Sequence, residues 1–161
     1  MGNITNGADL YDFEGYKIYR ATDFEFNDAY NITDGDGNPT FLEPYVQNGV
    51  RAQWDLVDGK SGWHPVDLNG IKFYLGDDTG LTHSYVDHNV VNGQRYYYAV
   101  VSYDYGGDLS NNIIPSDSPM KLRVNPLTGA VSLGPNVVEV VPSPPSAGFV
   151  DASFAGDQVD H

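Results

Sequence analysis

Apolar and polar side chains alternate along short stretches of this chain, and turn residues separate the stretches. In Gly15–Arg20, Tyr16 and Ile18 fall on one face of an extended segment, and Lys17 and Tyr19 fall on the other. A period of two residues is typical of a β-strand, because successive side chains of a strand point to opposite faces. The pattern therefore predicts a strand here.

The strongest strand prediction covers Gln94–Tyr105. Both faces of this segment are apolar or amphipathic, which is typical of a central strand that is covered on both sides. The pair Asn92-Gly93 before it is a tight-turn signal, and Gly106-Gly107 follows its end. We therefore expect a long central strand that starts from a tight turn.

Weaker patterns predict further short strands over Val50–Val57, Ile71–Leu75, Met120–Val124 and Val137–Val141. Turn markers rich in Asp, Asn and Gly interrupt a long irregular stretch over residues 23–80, and no helical period exceeds about two turns. Strands joined by turns, with no helix to cover them, favour an all-β domain of two packed sheets. Pro142–Ser146 then predicts a stiff extended linker that ends the domain.

The charge of the chain narrows the classes of partner. Among its 161 residues, 22 Asp and Glu stand against 8 Lys and Arg, for a formal net charge of −14. Nucleic acids and anionic membrane surfaces attract clustered cations, so we expect neither as the main partner. The chain has no cysteine, which excludes disulfides, thiol catalysis and cysteine-based zinc sites.

The N-terminus lacks the basic and apolar regions of a secretory signal, and no stretch approaches the roughly 18 apolar residues that span a bilayer. We therefore expect no membrane insertion. Two interpretations remain open for the location. Either the protein is soluble inside a cell, or the chain is a piece of a longer protein whose signal lies elsewhere.

Several segments together resemble a fibronectin type III domain. Gly15–Arg20 resembles its third strand, strand C. Val90, Gly93 and Tyr96 resemble its E–F corner, where an apolar residue and a turn glycine precede the corner tyrosine. The resemblance implies that the hydroxyl of Tyr96 bonds to backbone a few residues upstream. It also implies a G strand over Ser116–Val124.

More closely, three segments are similar to modules in large secreted surface proteins of Bacteroidetes- or Ignavibacteria-like bacteria: Asp12–Arg20, Tyr74–Leu81 and Val140–Gly148. The resemblance implies an extracellular or cell-surface location. It also implies a fibronectin type III or immunoglobulin-like β-sandwich over residues 1–141. An insertion of residues 23–80 would lie between strands C and E, and residues 142–161 would form a linker and tail.

Strands A and B of the family have no counterpart, because strand C begins by residue 15. Either the chain is a fragment, or the insertion and the C-terminal run replace these strands, or another chain supplies them. A sandwich without two strands leaves an apolar face and an unpaired edge, which is a template for strand addition. We therefore predict a non-catalytic structural or interaction module whose partner is a neighbouring domain or another copy of the chain. The candidate donor strand consists of Val137, Val138, Val140 and Val141.

Asp34, Asp36 and Asn38 have the alternating oxygen spacing of a calcium loop. Pro39 then stands where such loops have glycine, and Tyr45 stands where they have glutamate. Calcium is therefore a possible cofactor. The alternative is an exposed Asp-Gly turn that binds no ion.

The long irregular stretch is rich in aromatic side chains, which are Trp54 and Trp63 together with Phe41, Tyr45, Phe73 and Tyr74. Exposed rings beside carboxylates are typical of a face that binds a sugar ring, so a carbohydrate-binding module that uses both tryptophans is the rival interpretation. The alternative is that these rings form a second small core. The four histidines show no metal-site spacing and are expected at the surface. No nucleophile or phosphate-loop motif is present, so we expect no enzyme.

Overall fold

A computed structural model of the protein describes residues 12–68, 70–107 and 112–148. Within these ranges the regular structure is β-sheet apart from a single 3₁₀ turn at Asn27–Ala29, which confirms the all-β prediction. The strands are β1 (Phe13–Ala21), β2 (Ile32–Thr33), β3 (Pro39–Phe41), β4 (Val46–Gln47), β5 (Val50–Arg51), β6 (Gln53–Asp55), β7 (Trp63–Leu68), β8 (Ile71–Tyr74), β9 (Tyr96–Asp104), β10 (Leu122–Val124), β11 (Val131–Leu133) and β12 (Val137–Val140).

A four-stranded antiparallel sheet with the order β12-β9-β1-β6 organises the molecule. The two longest strands, β1 and β9, pair along almost their whole length, with Lys17 opposite Val101 and Tyr19 opposite Ala99. These are the two strands that alternation predicted most clearly, and both predictions are confirmed. The remaining strands form four two-stranded hairpins: β2–β3, β4–β5, β7–β8 and β10–β11.

The hydrophobic core lies on one face of this sheet, which we call the inner face. Tyr19, Ala99 and Val101 are buried there against Phe26, which comes just before the 3₁₀ turn. Side chains from the β10–β11 hairpin and its approach close the core: Met120, Leu122 and Leu133. Two antiparallel layers with a core between them are consistent with a β-sandwich.

The opposite, outer face of the sheet is only partly covered. Val100 on β9 is 47% exposed and Val138 on β12 is 52% exposed. The expectation that β9 is covered on both faces is therefore wrong for its outer face within the described residues. The reason is that the loop around Tyr85 and the neighbouring Tyr45, which pack onto this face beside Trp54 and Arg20, leave Val100 and Val138 partly exposed.

Two predicted segments are arranged differently in the structure. Strand β6 lies inside the stretch expected as an insertion, yet it pairs with β1 as a strand of the main sheet. The expected G strand is split. Ser118 N–H donates to the Ser102 carbonyl at 2.7 Å, and Asp117 forms a single bridge with Tyr103. The chain then leaves as the β10–β11 hairpin and returns as β12.

Strand β12 contains most of the segment expected to be donated to a neighbour. In the structure Val137 to Val140 pair with β9 of the same chain, and Val141 lies exposed just beyond. Pro142–Ser146 has no regular structure and is mostly exposed, and residues from 149 onward lie outside the described ranges. The chain thus fills the edge position next to β9 with its own strand.

Candidate functional site

The predicted corner residues lie together just before β9. Gly93 has a φ of 85°, which favours glycine, and its N–H donates to the Pro142 carbonyl at 2.8 Å. The buried Tyr96 accepts a hydrogen bond at its hydroxyl from Val91 N–H at 3.0 Å, five residues upstream. Val90 is half-buried beside them. This arrangement fixes the start of β9 and so the register of the sheet.

Asp87, in the loop before this corner, is a connecting residue that the sequence did not single out. Its carboxylate accepts hydrogen bonds from Arg20 (2.8 Å), Tyr98 (2.7 Å) and Tyr45 (3.0 Å). Burial raises the pKa of Asp87, but the hydrogen bonds from these groups and from Asn89 N–H outweigh it, so the pKa is lowered. Asp87 thus ties the loop to β1 and β9 as an anion.

The predicted calcium loop is a tight exposed turn. Asp34 accepts hydrogen bonds from the backbone N–H groups of Asp36 (3.0 Å) and Asn38 (2.9 Å). Its second oxygen accepts from the Asn38 side-chain amide at 3.2 Å. The hydrogen bonds from Asn38 lower the pKa of Asp34. In the described parts of the chain no group of three or more His, Asp or Glu side chains is arranged to hold a metal ion.

The two tryptophans lie on opposite sides of the main sheet. Trp54 is on the outer face, with its ring centroid 5.4 Å from that of Tyr85. Trp63 is on the inner side, 59% exposed, with its ring centroid 5.0 Å from that of Tyr74. The two rings therefore do not form one binding face. The histidine expectation also needs correction, because His64 is fully buried against Tyr105.

A cavity of about 530 Å³ opens beside Trp63, between the inner face of the sheet and two hairpins. Its floor includes Lys17 of β1 and Gln53 of β6, which are adjacent because the two residues pair in register. Its walls are mainly apolar or aromatic and include Ile32, Phe41, Trp63, Phe73 and Tyr74. We call this space the β6–β8 cavity. Its size is within the usual range for small-molecule sites.

Cations are concentrated at the β6–β8 cavity. Lys17, Arg51 and Lys72 all line it, although the whole chain has only 8 Lys and Arg. Lys17 Nζ lies 3.1 Å from Asp117 and 3.6 Å from the ring centroid of Phe73. Burial lowers the pKa of Lys17 to about 8, although Asp117 acts in the opposite direction. The cavity therefore combines aromatic walls with positive charge in a strongly acidic protein.

A buried carboxylate lies elsewhere, at an irregularity in β1. The pairing of β1 with β9 shifts between Phe13 and Gly15, and Glu14 at the shift is completely buried. Neither carboxylate oxygen of Glu14 has a hydrogen-bond partner among the described residues. Burial, and then repulsion from Asp58, raise the pKa of Glu14 to about 7. Sequence alternation did not reveal this residue, because a bulge interrupts the period of two.

No protein-family model, curated protein or solved structure matches this chain. The part of the chain that the structure describes contains no helix long and apolar enough to cross a membrane.

Proposed function

We propose that the chain is a non-catalytic structural or interaction module of an extracellular or cell-surface assembly, with a fibronectin type III-like fold. The pairing of β1 with β9 supports this proposal because strands C and F of the family lie in the same sheet, although β12 and not the expected Ser116–Val124 forms the strand on the far side of β9. The hydrogen bond from Val91 to Tyr96 supports it because the family's corner tyrosine bonds to backbone upstream. The location is supported only by the sequence resemblance.

The observation that carries the proposal is the half-open outer face of the main sheet. Ile18, Val100 and Val138 lie on this face, and the last two are about half exposed. A contiguous apolar patch across neighbouring strands indicates an interaction surface, whereas single scattered apolar side chains are normal on any protein surface. A groove of about 400 Å³ beside Trp54 and Tyr85 extends the same face.

The joint that we propose is a strand from a neighbouring copy or domain, added to the edge of β12 that pairs with no other strand among the described residues. Val100 N–H donates to the Asn136 carbonyl, which makes these two residues a hydrogen-bonded pair. In an antiparallel ladder, hydrogen-bonded and non-hydrogen-bonded pairs alternate from one residue to the next. By this alternation Val138 and Val140 bond to β9, while the backbone groups of Glu139 point outward. Donation of β12 itself would first break its ladder with β9, so addition at its edge requires less rearrangement.

Self-association of the full chain tests this joint. We expect sedimentation velocity in high salt, which screens the repulsion between acidic chains, to show association that grows with protein concentration. Val138→Lys places a charge on the exposed edge and is expected to leave the chain monomeric. Val57→Lys is the matched control, because Val57 is 74% exposed in a loop and the substitution changes the net charge equally.

Two results would overturn the proposed joint. One is a wild-type chain that stays monomeric at every concentration in high salt. The other is an equal loss of association in Val57→Lys and Val138→Lys, because a general charge effect would then explain both.

A second candidate function, carbohydrate binding, is favoured by the exposure of Trp63 at the β6–β8 cavity. An aromatic ring that is 59% exposed beside a cavity is available to stack on a sugar ring. Binding on a glycan array that is lost in Trp63→Ala would support this candidate. Trp54 has no part in it, because it lies on the other side of the sheet.

A further inference from the structure

We infer that the β6–β8 cavity binds an acidic sugar, a uronic acid unit that carries a carboxylate, an apolar ring face and free hydroxyls. This inference rests on the carbohydrate-binding candidate and names the class of sugar that the cavity fits. Three features of the cavity each match one part of such a ligand.

The first feature is the aromatic wall. Trp63 and Tyr74 meet edge to face with a centroid separation of 5.0 Å, and Phe73 lies next to Tyr74 on β8. Trp63 keeps more than half of its surface exposed in this position. Binding of a ring with an apolar face would bury that surface, and burial of apolar surface is favourable.

The second feature is unpaired positive charge. Among residues 12–68, 70–107 and 112–148, neither Arg51 nor Lys72 forms an ion pair, although the chain has 22 acidic residues. The Arg51 guanidinium lies 4.8 Å from the ring centroid of Tyr74, so the cation and the aromatic wall are adjacent. A guanidinium donates two parallel hydrogen bonds to the two oxygens of a carboxylate. An uncharged sugar has no carboxylate to accept them.

The third feature is a buried acceptor on the cavity floor. The Gln53 amide nitrogen donates to the Tyr74 carbonyl at 2.9 Å and to the Tyr103 hydroxyl at 3.0 Å. The Gln53 amide oxygen is buried and has no partner among the residues that the structure describes. Buried acceptors are normally paired, so a ligand that donates a hydrogen bond here would satisfy this oxygen. A sugar hydroxyl supplies one.

The overall charge limits the length of acidic ligand that can bind. A net charge of −14 repels a long polyanion, whereas a short acidic unit in the cavity meets the cations Lys17, Arg51 and Lys72 against the two carboxylates Glu43 and Asp117, of which Asp117 is paired with Lys17. We therefore expect binding of a short oligomer, and we expect added salt to weaken its ion pair with Arg51.

The test compares trigalacturonate with its methyl ester by isothermal titration calorimetry of the full chain. The two ligands differ only in the carboxylates, and we expect the acid to bind about tenfold more tightly, as one charge-assisted contact implies. Arg51→Gln is expected to abolish this difference, and Trp63→Ala to weaken both ligands. Trp54→Phe is the control outside the cavity and is expected to change neither.

The outcomes separate the inference from the candidate function on which it rests. Equal binding of acid and ester would overturn the acidic preference and leave carbohydrate binding intact. Binding of neither ligand would overturn the acidic-sugar inference, and the glycan array then decides separately on the carbohydrate-binding candidate. A preference for the acid that persists in Arg51→Gln would overturn the assignment to this cavity. Arg51 and Trp63 are exposed, so we expect both substitutions to leave the fold intact. Thermal unfolding of the two variants checks this.

Discussion

At the scale of single residues, the two buried carboxylates Asp55 and Glu14 differ in whether they have hydrogen-bond partners. Asp55 is completely buried but accepts hydrogen bonds from the backbone and hydroxyl of Thr79, each at 2.8 Å. Glu14 is equally buried and has no such partner among the described residues. Burial of an unpartnered carboxylate disfavours its ionised form, which explains why its pKa is raised to about 7.

Glu14 therefore makes stability depend on pH. The folded-state pKa lies above the ordinary value of 4.5, so the folded chain binds more protons than the unfolded chain between these values. Stability from this group falls as the pH rises through that window. We expect Glu14→Gln to raise the free energy of unfolding by about 1–3 kcal/mol at about pH 8, and to change it little below about pH 4.5.

Urea unfolding at the two pH values measures this effect, with Glu25→Gln as the control because Glu25 is exposed. A destabilised Glu14→Gln variant at the higher pH would contradict the account of Glu14. Of the residue-scale features, the bond of Tyr96 was implied by the family resemblance of Val90, Gly93 and Tyr96. The burial of Glu14 was not implied, because it depends on a shift in strand pairing that no local pattern encodes.

At the scale of elements, the contact between β1 and β6 depends on Gly15. A Cβ at this position would fall on the carbonyl oxygen of Trp54 and lie within 2.8 Å of the Tyr103 hydroxyl. We expect Gly15→Ala to lower the free energy of unfolding by about 1–3 kcal/mol, as overpacking does. Gly35→Ala is the control, because a Cβ at Gly35 meets nothing within 4 Å, and it is expected to be nearly neutral in the same denaturation experiment. A Gly15→Ala variant as stable as wild type would show that β6 is not held against β1.

The turn at Asp34 is the segment whose spacing resembles a calcium loop, and its hydrogen bonds predict how the protein responds to calcium. Because the Asp34 oxygens already accept hydrogen bonds within the turn, we expect thermal unfolding to have the same midpoint with calcium and with EDTA. A calcium-dependent rise in the midpoint that disappears in Asp34→Asn would contradict this expectation and support the calcium site.

The strands that alternation predicted well are those with one continuously apolar face, above all β1 and β9. Strand β7 escaped prediction, because Pro65 and polar side chains interrupt its pattern. The role of β6 in the main sheet also escaped, since three residues with two polar side chains give too short a signal. Pairing between distant segments decided both cases, and the local sequence does not encode such pairing.

At the scale of the whole molecule, the prediction of an open apolar face came from the family resemblance alone, and it stays a prediction. The half-exposed Val100 and Val138 lie on the outer face. Several aromatic residues that line the β6–β8 cavity were expected to lie together, but its cations were not predicted, because they come from separate segments: Lys17 from β1, Arg51 from β5 and Lys72 from β8. A net charge of −14 opposes self-association, so other copies of the chain are expected to bind more tightly as salt screens the charge.

The measurement that tests the central claim most directly is amide hydrogen exchange along β12 by NMR in high salt, at low and high protein concentration. The account predicts protection of Val138 and Val140 throughout, because their N–H groups face β9. It predicts that Glu139 becomes protected only at high concentration, when a second strand covers the outer edge. Rapid exchange at Glu139 at every concentration, with Val138 and Val140 still protected, would contradict the claim that this edge joins the module to its neighbours.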